Sequence, residues 1–151
     1  MFHSRTLNNR INRLHERALR ITYKDSLLSF EELLQLDCSF TIHHRNLQRL
    51  ATEMFKAKNN IGPKFMNEIF PVSKNDHNLR IGTDFESTNV HSVYNGTETI
   101  SFRGPKTWAM VPLDIRNSAS LNVFKTRIKR WKPEGCTCRL CKIYIPNLGF
   151  L

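Results

Sequence analysis

Between residues 7 and 24 the chain carries two stripes at helical spacing. One is apolar, Leu7, Ile11, Leu14, Ala18 and Ile21, and one is cationic, Arg10, Arg13, Arg17, Arg20 and Lys24. Steps of three and four residues repeat one face of an α-helix, and no strand produces them. Each cation from Arg10 to Arg20 precedes an apolar residue, so the stripes lie about 100° apart. The pattern predicts a long helix that docks through its leucines and isoleucines and offers its arginines outward, a geometry suited to phosphate.

Charge along the whole chain agrees with that expectation. Lys+Arg 23 against Asp+Glu 13 gives a formal net charge of +10 and an isoelectric point near 9.9, a field that attracts polyanions. Nucleic acid is the leading partner class. An anionic membrane surface needs a larger unbroken apolar face than this chain, with mean hydropathy of -0.44, supplies. No stretch reaches the roughly 18 to 20 apolar residues of a membrane span, and MFHSRTLNNR has no apolar signal core. An intracellular setting, nuclear or cytoplasmic, is expected. There the four cysteines favour free thiols or metal ligation over disulfides.

The remaining punctuation predicts a mainly α chain with a small β-hairpin, of α+β class. Ser29 and Glu32 read as a capping box for a short helix containing Leu33, Leu34 and Leu36. Thr41 caps a third helix, whose apolar residues are Ile42, Leu47, Leu50, Met54, Ala57 and Ile61, and Pro63 opens a brief fourth over 64–70. Residues 1–70 thus read as a helical bundle, and 71–89, with Pro71, Asn75, Asp76 and Gly82, as a linker. Over 90–132 the Asn95-Gly96 pair signals a hairpin between strands 90–94 and 97–102. A short helix from Gly104 is expected to stop before Pro112, and Ser120 to cap a final helix over 121–131, with Leu121, Phe124, Ile128 and Trp131 buried. Lys125, Lys129 and Arg130 leave that helix cationic outside.

Residues 133–151 hold Cys136, Cys138 and Cys141, a spacing compatible with tetrahedral zinc but one ligand short unless Cys38, His43 or His44 completes it. Zinc is therefore a possible cofactor and reduced thiols the simpler state. Phe102 and Trp108 beside Arg103 and Lys106 could stack bases, although such aromatics more often belong to a core. There is no nucleophile elbow, P-loop, zinc-protease motif or catalytic carboxylate pair. A zinc-stabilised protein-interaction module is the alternative to a nucleic-acid binder.

Several segments together resemble the region C-terminal to the catalytic core in reverse transcriptases of LINE-like, jockey-type non-LTR retrotransposons. They are Met1-Phe2-His3-Ser4-Arg5, Asn12 to Arg20, Ser29 to Leu34, Ile42 to Leu47, Asn67 to Phe70, Tyr94 to Ile100, Gly104 to Trp108, and Trp131 with the cysteine cluster. The resemblance implies a thumb-like helical region and a cysteine-containing tail that grip template and primer. It implies a parent that is an RNA-directed DNA polymerase, whose metal-binding aspartates have no counterpart here. Its missing polymerase core would be a further partner, and Met1 an internal residue of that parent.

Overall fold

A computed structural model describes residues 5–73, 84–86 and 99–133. Among them are seven helices: α1 Arg5–Tyr23, α2 Phe30–Leu36, α3 Ile42–Lys58, α4 Phe65–Ile69, α5 Ile100–Met110, α6 Leu113–Arg116 and α7 Leu121–Ile128. The chain is mainly helical, and the described residues contain no named strand. None of these helices is long and apolar enough to cross a membrane.

Local side-chain chemistry sets the starts of α2, α3 and α7. Ser29 Oγ accepts from Glu32 N at 3.3 Å while the Glu32 carboxylate accepts from Ser29 N at 2.7 Å, the reciprocal capping box expected for α2. Thr41 Oγ1 accepts from His44 N at 3.3 Å to open α3, and Ser120 Oγ accepts from Val123 N at 3.3 Å to open α7. α1 stops at Tyr23 because Lys24 turns to φ 51°, and Asp25 Oδ1 then ties the loop by accepting from Leu27 N and Leu28 N at 2.7 and 3.0 Å.

The described residues divide into two units, one ending at Asn46 and the other starting at Leu47, so that the division falls within α3. The first unit has a small core of Leu19, Leu33 and Leu34, with Tyr23, Leu28 and Phe30 packed against it. The Tyr23 hydroxyl donates to Asp37 Oδ1 at 3.1 Å, and His15 meets Phe30 edge-on with ring centroids 5.8 Å apart. Asn12 Oδ1 accepts from Ile42 N at 3.4 Å, occupying one of the amides that the first turn of α3 leaves without an intrahelical partner.

The second unit is organised by a run of rings. Phe70 meets Phe85, Phe85 meets Trp108, Trp108 stacks on Phe124 and Phe124 on Phe55, at centroid separations of 6.3, 5.8, 6.0 and 4.3 Å. Each such pair adds about 0.5–1.5 kcal/mol beyond its buried area. The segment expected as a linker takes part. Val72 bridges Phe85 antiparallel, Ser73 N donates to Asp84 O at 3.1 Å, and Glu86 N to Pro71 O at 2.9 Å, which seats Phe85 at 1% exposure. At the far end Gln48 Nε2 donates to Trp131 O at 2.8 Å.

The hairpin is corrected where it can be seen. Its turn and first strand lie outside the described residues, but Ile100, Ser101 and Phe102, expected to close the second strand, begin α5. Thr99 sits extended at φ -69° and ψ 149° as the cap, and Arg103 N donates to Thr99 O at 3.0 Å. Packing explains the outcome. Gly104 abuts another element so closely that an added Cβ would stand 2.4 Å from Phe70 Cε1 and 2.9 Å from Met54 Sδ, and helical pitch delivers Gly104, Thr107 and Trp108 together to the interior. Pro105 lies inside this helix, without an amide hydrogen for the ladder. As expected, the helix stops short of Pro112; α7 ends at Ile128, with Phe124, Ile128 and Trp131 buried.

Two predictions follow from these local contacts. Gly104→Ala should lower stability by about 1–3 kcal/mol, since Phe70 and Met54 must move to admit the methyl group. An unchanged midpoint in denaturant unfolding would contradict that packing. Separately, the Leu28 and Leu27 amides hold the Asp25 carboxyl below its ordinary value, and the Ser29 hydroxyl and amide do the same for Glu32. Carboxylates with depressed folded values stabilise fully above their unfolded pKa and lose that contribution as pH falls through the folded one. The α1–α2 corner should therefore loosen below about pH 4, read as faster amide exchange at Leu27, Leu28 and Glu32 after correction for intrinsic rates, and D25N should remove the Asp25 part of that dependence.

Candidate nucleic-acid interface

α1 presents three faces instead of two. The buried one contains Asn8, Asn12 and Leu19, at 4%, 2% and 5% exposure, with His15 and Tyr23 half-buried. The stripe expected to dock is exposed instead: Leu14 is 67% and Ile21 72% accessible, Ala18 is open and Ile11 half-buried. This corrects the sequence reading, and the reason lies in distant partners. Leu19 reaches the leucines of α2, and Asn12 serves the start of α3, contacts that outweigh the burial Leu14 and Ile21 would gain.

Arg10, Arg13 and Arg17 lie exposed along the third face, as the sequence predicts. With Leu14, Glu16 and Arg20 they line a shallow concavity of about 460 Å³. Arg20 is committed differently from its neighbours. Its Nη2 and Nε reach Glu16 Oε1 at 2.8 and 3.3 Å, and Nη1 donates to Ser26 O at 2.8 Å, so it joins the end of α1 to the following loop. A half-buried pair at this spacing on a helix contributes only about 0.3–0.5 kcal/mol. Lys24, past the helix end at φ 51°, is exposed but off the helical row. His15 adds little charge at neutral pH, because burial and then Arg45 push its imidazole below the ordinary value against the opposing pull of Asp37.

The second cationic set is in the other unit. Lys125, Lys129 and Arg130 are exposed on and just after α7, where positive charge also suits the helix C-terminus. Arg127 donates from Nη1 to Asp114 O at 2.9 Å. Thus the structure gathers Arg10, Arg13, Arg17 and Arg20 around one concavity of the first unit, and Lys125, Lys129 and Arg130 are exposed at the end of α7 in the second.

Trp108 belongs to the core. It is 1% exposed, its Nε1 donates to Asp84 Oδ2 at 2.6 Å, and Lys58 Nζ stands 5.8 Å from its ring centroid. Phe102 is half-buried beneath Lys106 Nζ at 3.9 Å. Cys136, Cys138 and Cys141 lie outside the described residues. Cys38 is an exposed free thiol at φ 50°, His43 is buried and His44 half-buried, and among the described residues no group of three or more His, Cys, Asp or Glu side chains could hold a metal ion.

Asp84 is the residue that the pattern of the sequence does not reveal. Burial pushes its carboxyl up, but the Trp108 indole and Lys58, whose Nζ is 3.0 Å from Oδ1, outweigh that and hold it below the ordinary value. Arg116 Nη1 lies 3.8 Å from Oδ2. Comparison with known proteins adds no relative: no family model, curated protein or solved structure matches the chain.

Proposed function

We propose that this chain is a nucleic-acid-gripping region of a jockey-type non-LTR retrotransposon reverse transcriptase, the thumb-like part that follows the catalytic core and holds template and primer. The order of segments along the chain supports that parentage. The observation that carries the binding role is the outward row of Arg10, Arg13 and Arg17 on one concavity of α1. A guanidinium fork matches two phosphate oxygens at once, which a lysine ammonium does not, so an arginine row at helical spacing suits successive phosphates. Lys125, Lys129 and Arg130 supply a second group of phosphate contacts.

Contacts of this type hold a nucleic acid in place without reading its bases, so binding is indifferent to sequence. Phosphodiester bond formation is left to the missing polymerase core, an RNA-directed DNA polymerase and the partner of this region in the parent protein. The setting of that work is the nucleus or the cytoplasm.

The reading is tested by titrating labelled RNA–DNA hybrid and duplex DNA with the full chain at several salt concentrations. With about four to six phosphates engaged, log affinity should fall against log salt at a slope of roughly -3 to -5. The triple variant R10E/R13E/R17E should bind at least about a hundredfold more weakly, since each reversal replaces phosphate attraction with repulsion. Undiminished binding by that variant would remove α1 from the interface, and a salt slope near zero would remove phosphate contacts altogether.

A further inference from the structure

One face of α1 is covered by its own unit and a second carries the arginines. Between them runs the exposed apolar stripe, with Leu14 and Ile21 more than two-thirds accessible and Ala18 open between them. We propose that this stripe is a docking seam for one acidic amphipathic helix of a partner protein. In that complex apolar side chains of the partner pack on Leu14, Ala18 and Ile21, and carboxylates along its border pair with Arg10 and Arg17. The proposal is independent of the nucleic-acid reading.

Spacing and charge choose the occupant. Leu14, Ala18 and Ile21 step by four and three residues, so they repeat at the seven-residue interval that a packed helix matches along its length. Arg10 and Arg17 are themselves seven apart and each precedes a stripe position, Ile11 or Ala18, where the flanking charges of a two-helix seam select a partner. α1 cannot provide that partner from a second copy. Its sequence has five arginines and a single carboxylate, Glu16, which is already bonded to Arg20. An antiparallel copy would set arginine against arginine, and a parallel one would set the arginines against the Asn8, His15 and Thr22 side, where there is no acid. Nucleic acid would satisfy the arginines but leave Leu14 and Ile21 in water. Only an occupant with both an apolar stripe and carboxylates complements the whole seam.

The test uses the full chain and a synthetic three-heptad helical peptide with leucines at its two seam positions and glutamates at both bordering ones. Fluorescence anisotropy should show binding, weakened by about tenfold or more when lysines replace the glutamates. L14Q/I21Q, at positions accessible enough to leave the fold intact by circular dichroism, should lose about tenfold or more in peptide affinity. R10E/R17E should reverse the preference, taking the lysine-bordered peptide over the glutamate-bordered one. Equal binding of the two peptides, or undiminished binding by L14Q/I21Q, overturns the proposal. It is also overturned if sedimentation shows the chain pairing with itself and L14Q/I21Q restoring single chains, because the occupant would then be a second copy.

Discussion

A buried indole needs an acceptor for its N–H, and in the second unit that need is met by one carboxylate, Asp84. Much of the unit depends on this bond. It fixes the segment 84–86 beside α5, which lets Phe85 enter the ring stack and lets residues 71–73 pair with 84–86 through backbone hydrogen bonds. The same carboxylate draws in Lys58 from the end of α3 and Arg116 from α6. One side chain thereby ties the segment 84–86 to the end of α3 and to α5 and α6. A carboxylate at this place tolerates partial burial because an indole hydrogen and an ammonium group both meet it.

The first unit follows a different logic. Its apolar core is small, and polar contacts between helices share the task of orienting α1. Asn12 meets an amide at the start of α3, Tyr23 meets Asp37, and Arg20 holds the loop that follows α1. A helix oriented by polar anchors is free to leave an apolar stripe outside, which is why Leu14 and Ile21 face solvent although the pattern of α1 alone would bury them.

What could be read from the sequence divides along the range of the interaction. The caps by Ser29, Thr41 and Ser120 and the break before Pro112 depend on neighbours within a few residues, the inward positions Phe124 and Ile128 follow from helical pitch, and each was legible. The outward row of Arg10, Arg13 and Arg17 was legible too, because it needs only helical pitch. Three features were not. Asn12 looks like a solvent-facing residue until Ile42, thirty positions away, brings its amide. Asp84 sits in a stretch of turn-forming residues, and only Trp108 reveals its role. At residues 100–102 the Asn95-Gly96 turn signal competes with the packing of Gly104 on Phe70 and Met54, and packing decides.

With three faces in use, α1 has a rotational phase that its length alone protects. Removing one residue between Asn12 and Leu19 would turn everything downstream by about 100°. Arg20 would arrive at the position where Leu19 now meets the leucines of α2, and Leu19 would be carried out to the place of Ala18. Such a deletion would set the two halves of α1 out of register in core, apolar stripe and cationic row in a single event, whereas exchanging one exposed side chain alters one face and leaves the other two in register.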